Sequence, residues 1–178
     1  MQGKWDNITL IGMPASGKST VGVLLAKRLG YQFIDSDLLI QQEEGRLLKE
    51  IIAQDGLEGF LKVENRVNSR IRGGRAVIAP GGSVIYCREA MEHLRSIGMV
   101  VYLKLEYEEL CRRLGNLTDR GVALKDGMTL KDLYEERTPL YEKYADLTVD
   151  EKKKDLGAVV DWLRKTAEPN IMESGARR

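Results

Sequence analysis

The sequence predicts an α/β domain: an open parallel sheet with helices on both faces. Three observations carry the prediction. The first is the stretch Gly12-Met13-Pro14-Ala15-Ser16-Gly17-Lys18-Ser19-Thr20, which lies between a short apolar run, Ile8-Thr9-Leu10-Ile11, and a segment of helical spacing. It fits G-x-x-x-x-G-K-[ST], a strand, loop and helix in succession. The second is the alternation of short β-like runs with helical ones along the whole chain, the pattern of right-handed crossovers in a parallel sheet. The third is Met99-Val100-Val101-Tyr102-Leu103, a near-continuous apolar run of the kind a strand buried on both faces requires.

The loop also suggests chemistry. Its glycines let the backbone adopt positive φ and turn successive N–H groups around an anion, and the first turn of the following helix adds unpaired N–H groups. Gly12, Ala15, Ser16, Gly17, Lys18, Ser19 and Thr20 are therefore candidate nucleotide-binding residues. Lys18 would reach the β- and γ-phosphates, and the Ser19 hydroxyl would ligate a bridging Mg²⁺. The plain alternative is a glycine-rich turn that binds nothing. Against it stands the context, since Val21, Leu24, Leu25 and Leu29 recur at helical spacing directly after the loop.

Tyr31-Gln32-Phe33-Ile34 reads as a second strand, ending at Asp35-Ser36-Asp37. Ligands collect at the carboxyl ends of parallel strands, so one of these acids suits the Mg²⁺ shell and the other an attacking hydroxyl. Ser36 or Asp37 also suits the cap of a helix beginning at Leu38. Gly45 closes that helix, and Leu47 to Ile52 forms another, ended by Asp55-Gly56. A longer helix follows, with Phe60, Val63, Val67 and Ile71 on one face. Ala76 to Ala79 is the third strand, and Pro80-Gly81-Gly82-Ser83 at its end permits close approach by a ligand or makes a simple turn.

Arg88 to Arg95 is an amphipathic helix with Met91 and Leu94 on its apolar side and His93, the chain's one histidine, at its surface or edge. After the central strand comes a helix from Glu106 through Leu114. The stretch from Gly115 to Gly127 is then polar and punctuated by glycine, with the length of a lid. Thr129 caps the next helix, kinked at Pro139, and Leu147-Thr148-Val149 is the fifth strand. Leu156 to Thr166 is the last helix, and beyond Glu168-Pro169 a small, polar tail is expected to be disordered. The organisation is one domain over 1–167, a lid near 115–127 and a tail over 168–178.

Composition narrows the partners. A net charge of +1 with 31% charged residues gives no nucleic-acid footprint, and Lys152-Lys153-Lys154 reads as a solvated loop. No apolar run approaches the ~20 residues of a membrane span, and no signal-peptide core precedes the first strand, so a cytoplasmic protein with no membrane partner is expected. Cys87 and Cys111 form no C-x-x-C pair and read as plain thiols. Oligomeric state stays open, and a monomer is compatible with the sequence.

Taken together, these stations resemble the shikimate kinase family, small P-loop kinases, from about Ile8 to Trp162. Asp35-Ser36-Asp37 matches that family's D-[ST]-D, Gly81-Gly82-Ser83 its G-G-G, and Arg137-Thr138-Pro139-Leu140-Tyr141 its R-x-P-L-Y. The resemblance implies a P-loop kinase fold, a five-stranded parallel sheet in the order 2-3-1-4-5 with a lid. It implies ATP and Mg²⁺, a small-molecule acceptor, and conversion of shikimate to shikimate 3-phosphate. Asp35 would hold the metal through water, and Asp37 would contact the hydroxyl to be phosphorylated. Gly81 and Gly82 would line the acceptor pocket, and Arg137 would bind the acceptor carboxylate. Arg120 in the lid would steady the transferring phosphoryl group. Arg113 would stack on adenine, with the loop from Asp150 to Leu156 as the opposite wall.

The chain departs from the pattern at Leu61, where the family places an arginine that grips the acceptor carboxylate. Glu64 keeps its place without that arginine, and Lys62 is turned by ~100° around the helix from the vacated position. Gly121, Ser83 and Leu156 are further departures. The same chemistry on another hydroxy acid or sugar acid, such as homoserine or gluconate, is the alternative. A nucleotide-dependent switch is a different class, and the chain lacks an N-K-x-D guanine signature.

Overall fold

A computed structural model describes residues 6–114, 127–150 and 155–171, and the side chains of 168–171 are not described. The strands are β1 (Asn7–Ile11), β2 (Gln32–Asp35), β3 (Ala76–Ala79), β4 (Gly98–Lys104) and β5 (Leu147–Asp150). The helices are α1 (Lys18–Leu29), α2 (Ser36–Glu44), α3 (Leu48–Asn68), α4 (Arg88–Ile97), α5 (Tyr107–Leu114), α6 (Leu130–Tyr144) and α7 (Leu156–Ile171). All strand pairs are parallel, in the order β2-β3-β1-β4-β5. The expected order is the observed one. Among the described residues, no helix is long and apolar enough to cross a membrane.

Successive strand side chains point to opposite faces, which is why near-continuous apolar runs were needed. Ile8, Leu10, Met99, Val101 and Leu103 pack with α1 and α7, around Leu25, Val160 and Leu163. Ile11, Val100 and Tyr102 face the other way, onto Met91, Leu94, Leu110 and Tyr141. At the start of β1, buried Asn7 ties three segments together. Its amide donates to the Gly73 and Ile97 carbonyls and its oxygen accepts from Ala76 N–H, at 3.2, 2.9 and 3.0 Å.

The chain runs to β2 and β3 on one side of β1, then to β4 and β5 on the other. Such a reversal opens a crevice at the carboxyl ends of the strands. Three connections meet there: the glycine loop after β1, Asp35 to Asp37 after β2, and Pro80 to Ser83 after β3.

Three local expectations are corrected. The cap of α2 is Asp35, not Ser36 or Asp37; its carboxylate accepts from the N–H groups of Asp37 and Leu38. Leu24 is exposed, and Gly22 rather than a large apolar residue packs against Phe33 beneath α1. Finally, α7 runs on to Ile171, past the expected Thr166, so the tail anticipated from 168 begins inside it. The two helices expected on either side of Gly56 are borne out: within α3 they meet at a kink where Gly56 leaves helical geometry, at φ 70° and ψ 179°. Residues 115–126 of the expected lid, with Arg120, the lysine run at 152–154 and residues 172–178 lie outside the described residues.

Candidate active site

A cleft of about 550 Å³ opens at the strand ends. The phosphate loop forms one side, through Ala15, Gly17, Lys18, Ser19 and Thr20, and Asp37, Gly81, Gly82 and Arg137 form the other. The fold thus joins four separate sequence signals in one cavity.

The loop is built for an anion. Gly17 and Ala15 both sit at positive φ, 83° and 63°. A Cβ on Gly12 would lie 2.7 Å from the Leu103 carbonyl and 2.8 Å from Ser16 Oγ, so glycine is required for the chain to pass. Ser16 Oγ is buried and has no partner among the described residues. Lys18 Nζ donates to the carbonyls of Gly12 and Met13 at 3.0 and 2.9 Å. Burial pushes its ammonium down to about 8, a shift that Asp37 opposes. A polyphosphate at the loop would supply the negative charge that this buried cation lacks.

At the end of the loop, Ser19 Oγ donates to Asp35 Oδ2 at 3.2 Å, while Asp35 Oδ1 accepts from the Asp37 N–H. Among the described residues no group of three or more His, Cys, Asp or Glu side chains forms a metal cage. A hydroxyl paired with one carboxylate fits a hydrated hard cation shared with phosphate, the manner in which Mg²⁺ is usually held.

Opposite lies a carboxylate pair. Burial, helped by nearby Asp35, raises Asp37 to about 6, and Lys18 pulls against the shift. Glu64 is fully buried behind Gly81, and its Oε2 accepts from Ser83 Oγ at 2.6 Å. Burial raises it to about 7 despite that hydrogen bond. A Cβ on Gly81 would stand 2.6 Å from Glu64 Oε1 and 3.0 Å from Asp37 Oδ1. Only hydrogen at that position lets both acids close on the turn. Neither of these oxygens has a partner among the described residues.

Arg137 and Tyr141 are one turn apart on α6, and both act on Gly82. Tyr141 donates to the Gly82 carbonyl at 2.6 Å, fixing the turn after β3. Arg137 Nη1 lies 3.2 Å from where a Gly82 Cβ would be, so the missing side chain leaves room for the guanidinium. Although only 2% exposed, Arg137 lines the cleft; its Nε donates to Tyr86 Oη at 3.3 Å and the guanidinium stacks over the Tyr86 ring.

Leu61 and Arg113, like Asp35, are not among the residues that line the cleft. Leu61 packs against the hydrophobic clusters, whereas Phe60 does line the cleft. Arg113 sits beside the phosphate loop, with Nη1 3.4 Å from the Ala15 carbonyl and Nε on Glu109 at 2.6 Å. The structure also brings in residues that sequence spacing alone left without a role. Gln41, Leu48 and Lys49 reach the cleft because α2 and α3 fold back over it, and neither periodicity nor motif announces that.

Fold and cleft together define the class: a P-loop phosphotransferase acting on a small molecule. The shikimate kinase family model matches residues 14–168. A shikimate kinase of Chlorobium chlorochromatii is 37% identical over 179 residues, covering 94% of each chain. Shikimate kinase from Acinetobacter baumannii, solved in complex with shikimate, superposes with a TM-score of 0.79 at 31% identity, covering 97% of this chain and 96% of that one. The Aquifex aeolicus shikimate kinase gives 0.74 at 32% identity, covering 93% and 98%. This chain belongs to the shikimate kinase family.

Proposed function

We propose that the chain transfers the γ-phosphoryl group of ATP to a hydroxyl of shikimate, giving shikimate 3-phosphate and ADP. One observation carries the reading: a carboxylate and a guanidinium, Asp37 and Arg137, flank the glycine turn across the cleft from the phosphate loop. In this reading Arg137 recognises the acceptor's acid group and Asp37 its hydroxyl, within the cavity that the phosphate loop also lines.

In this reading the loop N–H groups and Lys18 hold the phosphates, and Ser19 with Asp35 holds Mg²⁺. When bound, Mg²⁺ neutralises charge on the β- and γ-phosphate oxygens. Asp37 Oδ1, buried and without a hydrogen-bond partner among the described residues, accepts the hydrogen bond of the acceptor hydroxyl and then its proton. Raised to about 6, the carboxyl is mostly ionised at neutral pH, as that role requires. Arg137 binds the acceptor's carboxylate and fixes the ring, so that catalysis is mainly positioning plus charge stabilisation. Arg120 is assigned to the transferring phosphoryl group, and Arg113 to the adenine. A net charge of +1 offers no electrostatic footprint for a nucleic-acid partner.

A coupled ADP-release assay with Mg²⁺-ATP and a panel of shikimate, homoserine and gluconate tests the assignment. Turnover with shikimate at a far higher kcat/KM than with the others is the expected result. Preference for another acceptor would reassign the pocket, and acceptor-independent hydrolysis would argue for a nucleotide switch.

A further inference from the structure

We propose that Lys49 is a specificity-determining residue, the second cation that receives the acceptor's acid group opposite Arg137. The inference rests on the reading above that the acceptor is a hydroxylated carboxylic acid.

The charges of the cleft make the case. Its acidic groups are Asp37 on the wall and Glu64 sealed behind Gly81, so an incoming carboxylate meets repulsion unless cations compensate. Among the described residues, three lysines or arginines line the cleft: Lys18, Arg137 and Lys49. Lys18 is held on the Gly12 and Met13 carbonyls at the phosphate-loop side. Arg137 comes from α6, on the Gly82 side. Lys49, in the first turn of α3, brings positive charge from the wall to which α3 also contributes Leu48 and Phe60.

The neighbouring positions do not compete. Leu61 is apolar and packs against the core clusters, and Lys62 is not among the lining residues. Arg46 and Arg66 are close in sequence, but they are engaged with Glu44, and Arg46 also with Asp55. The Lys49 ammonium is exposed, and among the described residues no hydrogen bond or ion pair holds it. Its four-carbon stem is flexible enough to swing onto a ligand once one arrives. Carboxylate recognition in this chain is thus divided between a buried guanidinium and a mobile ammonium.

The test is steady-state kinetics of wild type, Lys49→Met and Lys49→Arg with shikimate and with its uncharged methyl ester. Lys49→Met should raise KM for shikimate about tenfold, the effect of losing one solvent-accessible charge-assisted contact. Its kcat and its KM for ATP should stay within twofold, Lys49→Arg should retain most of the affinity, and KM for the ester should not change. An unchanged shikimate KM in Lys49→Met overturns the role of Lys49 while leaving the kinase assignment intact. An equal rise for the acid and the ester also overturns it, because a distorted cleft would not discriminate charge. A wild type inactive on shikimate but active on another acceptor overturns the underlying assignment, and this inference with it.

Discussion

Replacing Glu64 by glutamine isolates the energetic consequence of a buried acid in the cleft wall. The carboxyl is fully buried, and burial raises it from an ordinary 4.5 to about 7. The folded protein therefore binds more protons than the unfolded chain between pH 4.5 and 7. Stability falls across that window as pH rises, and the penalty is complete above 7. At 1.36 kcal/mol per pH unit the penalty is on the order of 3 kcal/mol. Glutamine keeps the shape and can still accept the Ser83 hydroxyl, which donates to Glu64 at 2.6 Å. Glu64→Gln should match wild type at pH 4.5 and exceed it at pH 8 by roughly 3 kcal/mol, or about 6–12 °C in thermal midpoint for a domain of this size. Urea unfolding at pH 4.5, 6 and 8 reads the difference directly. A variant no more stable than wild type at pH 8, or a difference independent of pH, would refute the reasoning.

Three further outcomes follow from the same geometry. Lys18→Ala should lower phosphoryl transfer by ~10² to 10³ or more, with an unchanged far-UV circular dichroism spectrum, since a preorganised charge is lost; turnover within threefold of wild type would dismiss Lys18 from the phosphate site. The kcat/KM of wild type should fall as pH drops through about 6, where the Asp37 carboxyl takes up its proton; a profile flat down to pH 4.5 would remove Asp37 as the hydroxyl's partner. Gly22→Ala should destabilise by about 1 to 2 kcal/mol despite alanine's better helix propensity, because its Cβ would stand 2.5 Å from the Phe33 ring; a gain in stability would show that Phe33 has room to move.

Strands and phosphate loop were legible because their signals are local. Five apolar runs announce five strands, and G-x-x-x-x-G-K-S places its own strand and helix. Strand order was not local; it came with the resemblance, carried by the acids after β2, the glycines after β3 and the arginine of α6. Smaller errors have a physical cause. Asp35 ends β2 and also caps α2, and the pattern D-S-D offers three residues for one cap. Gly56, by contrast, was read correctly as a terminator, since the backbone leaves helical geometry there and α3 is two helical stretches meeting at a kink. The wall containing Lys49 was the least visible, since its place in the cleft depends on how α2 and α3 pack together after β2. Glu64 was recognised as a partnerless acid, but its burial and its bond to Ser83 required the turn after β3 to be in place.

The central claim is that one cleft joins a nucleotide's γ-phosphate to a hydroxyl of shikimate. Phosphorus NMR of the protein incubated with Mg²⁺-ATP and shikimate tests it most directly. The account predicts one new phosphomonoester resonance, equal in amount to the ADP formed and absent without shikimate. ADP accumulating with inorganic phosphate instead, or no ATP consumption while another hydroxy acid becomes phosphorylated, would contradict it.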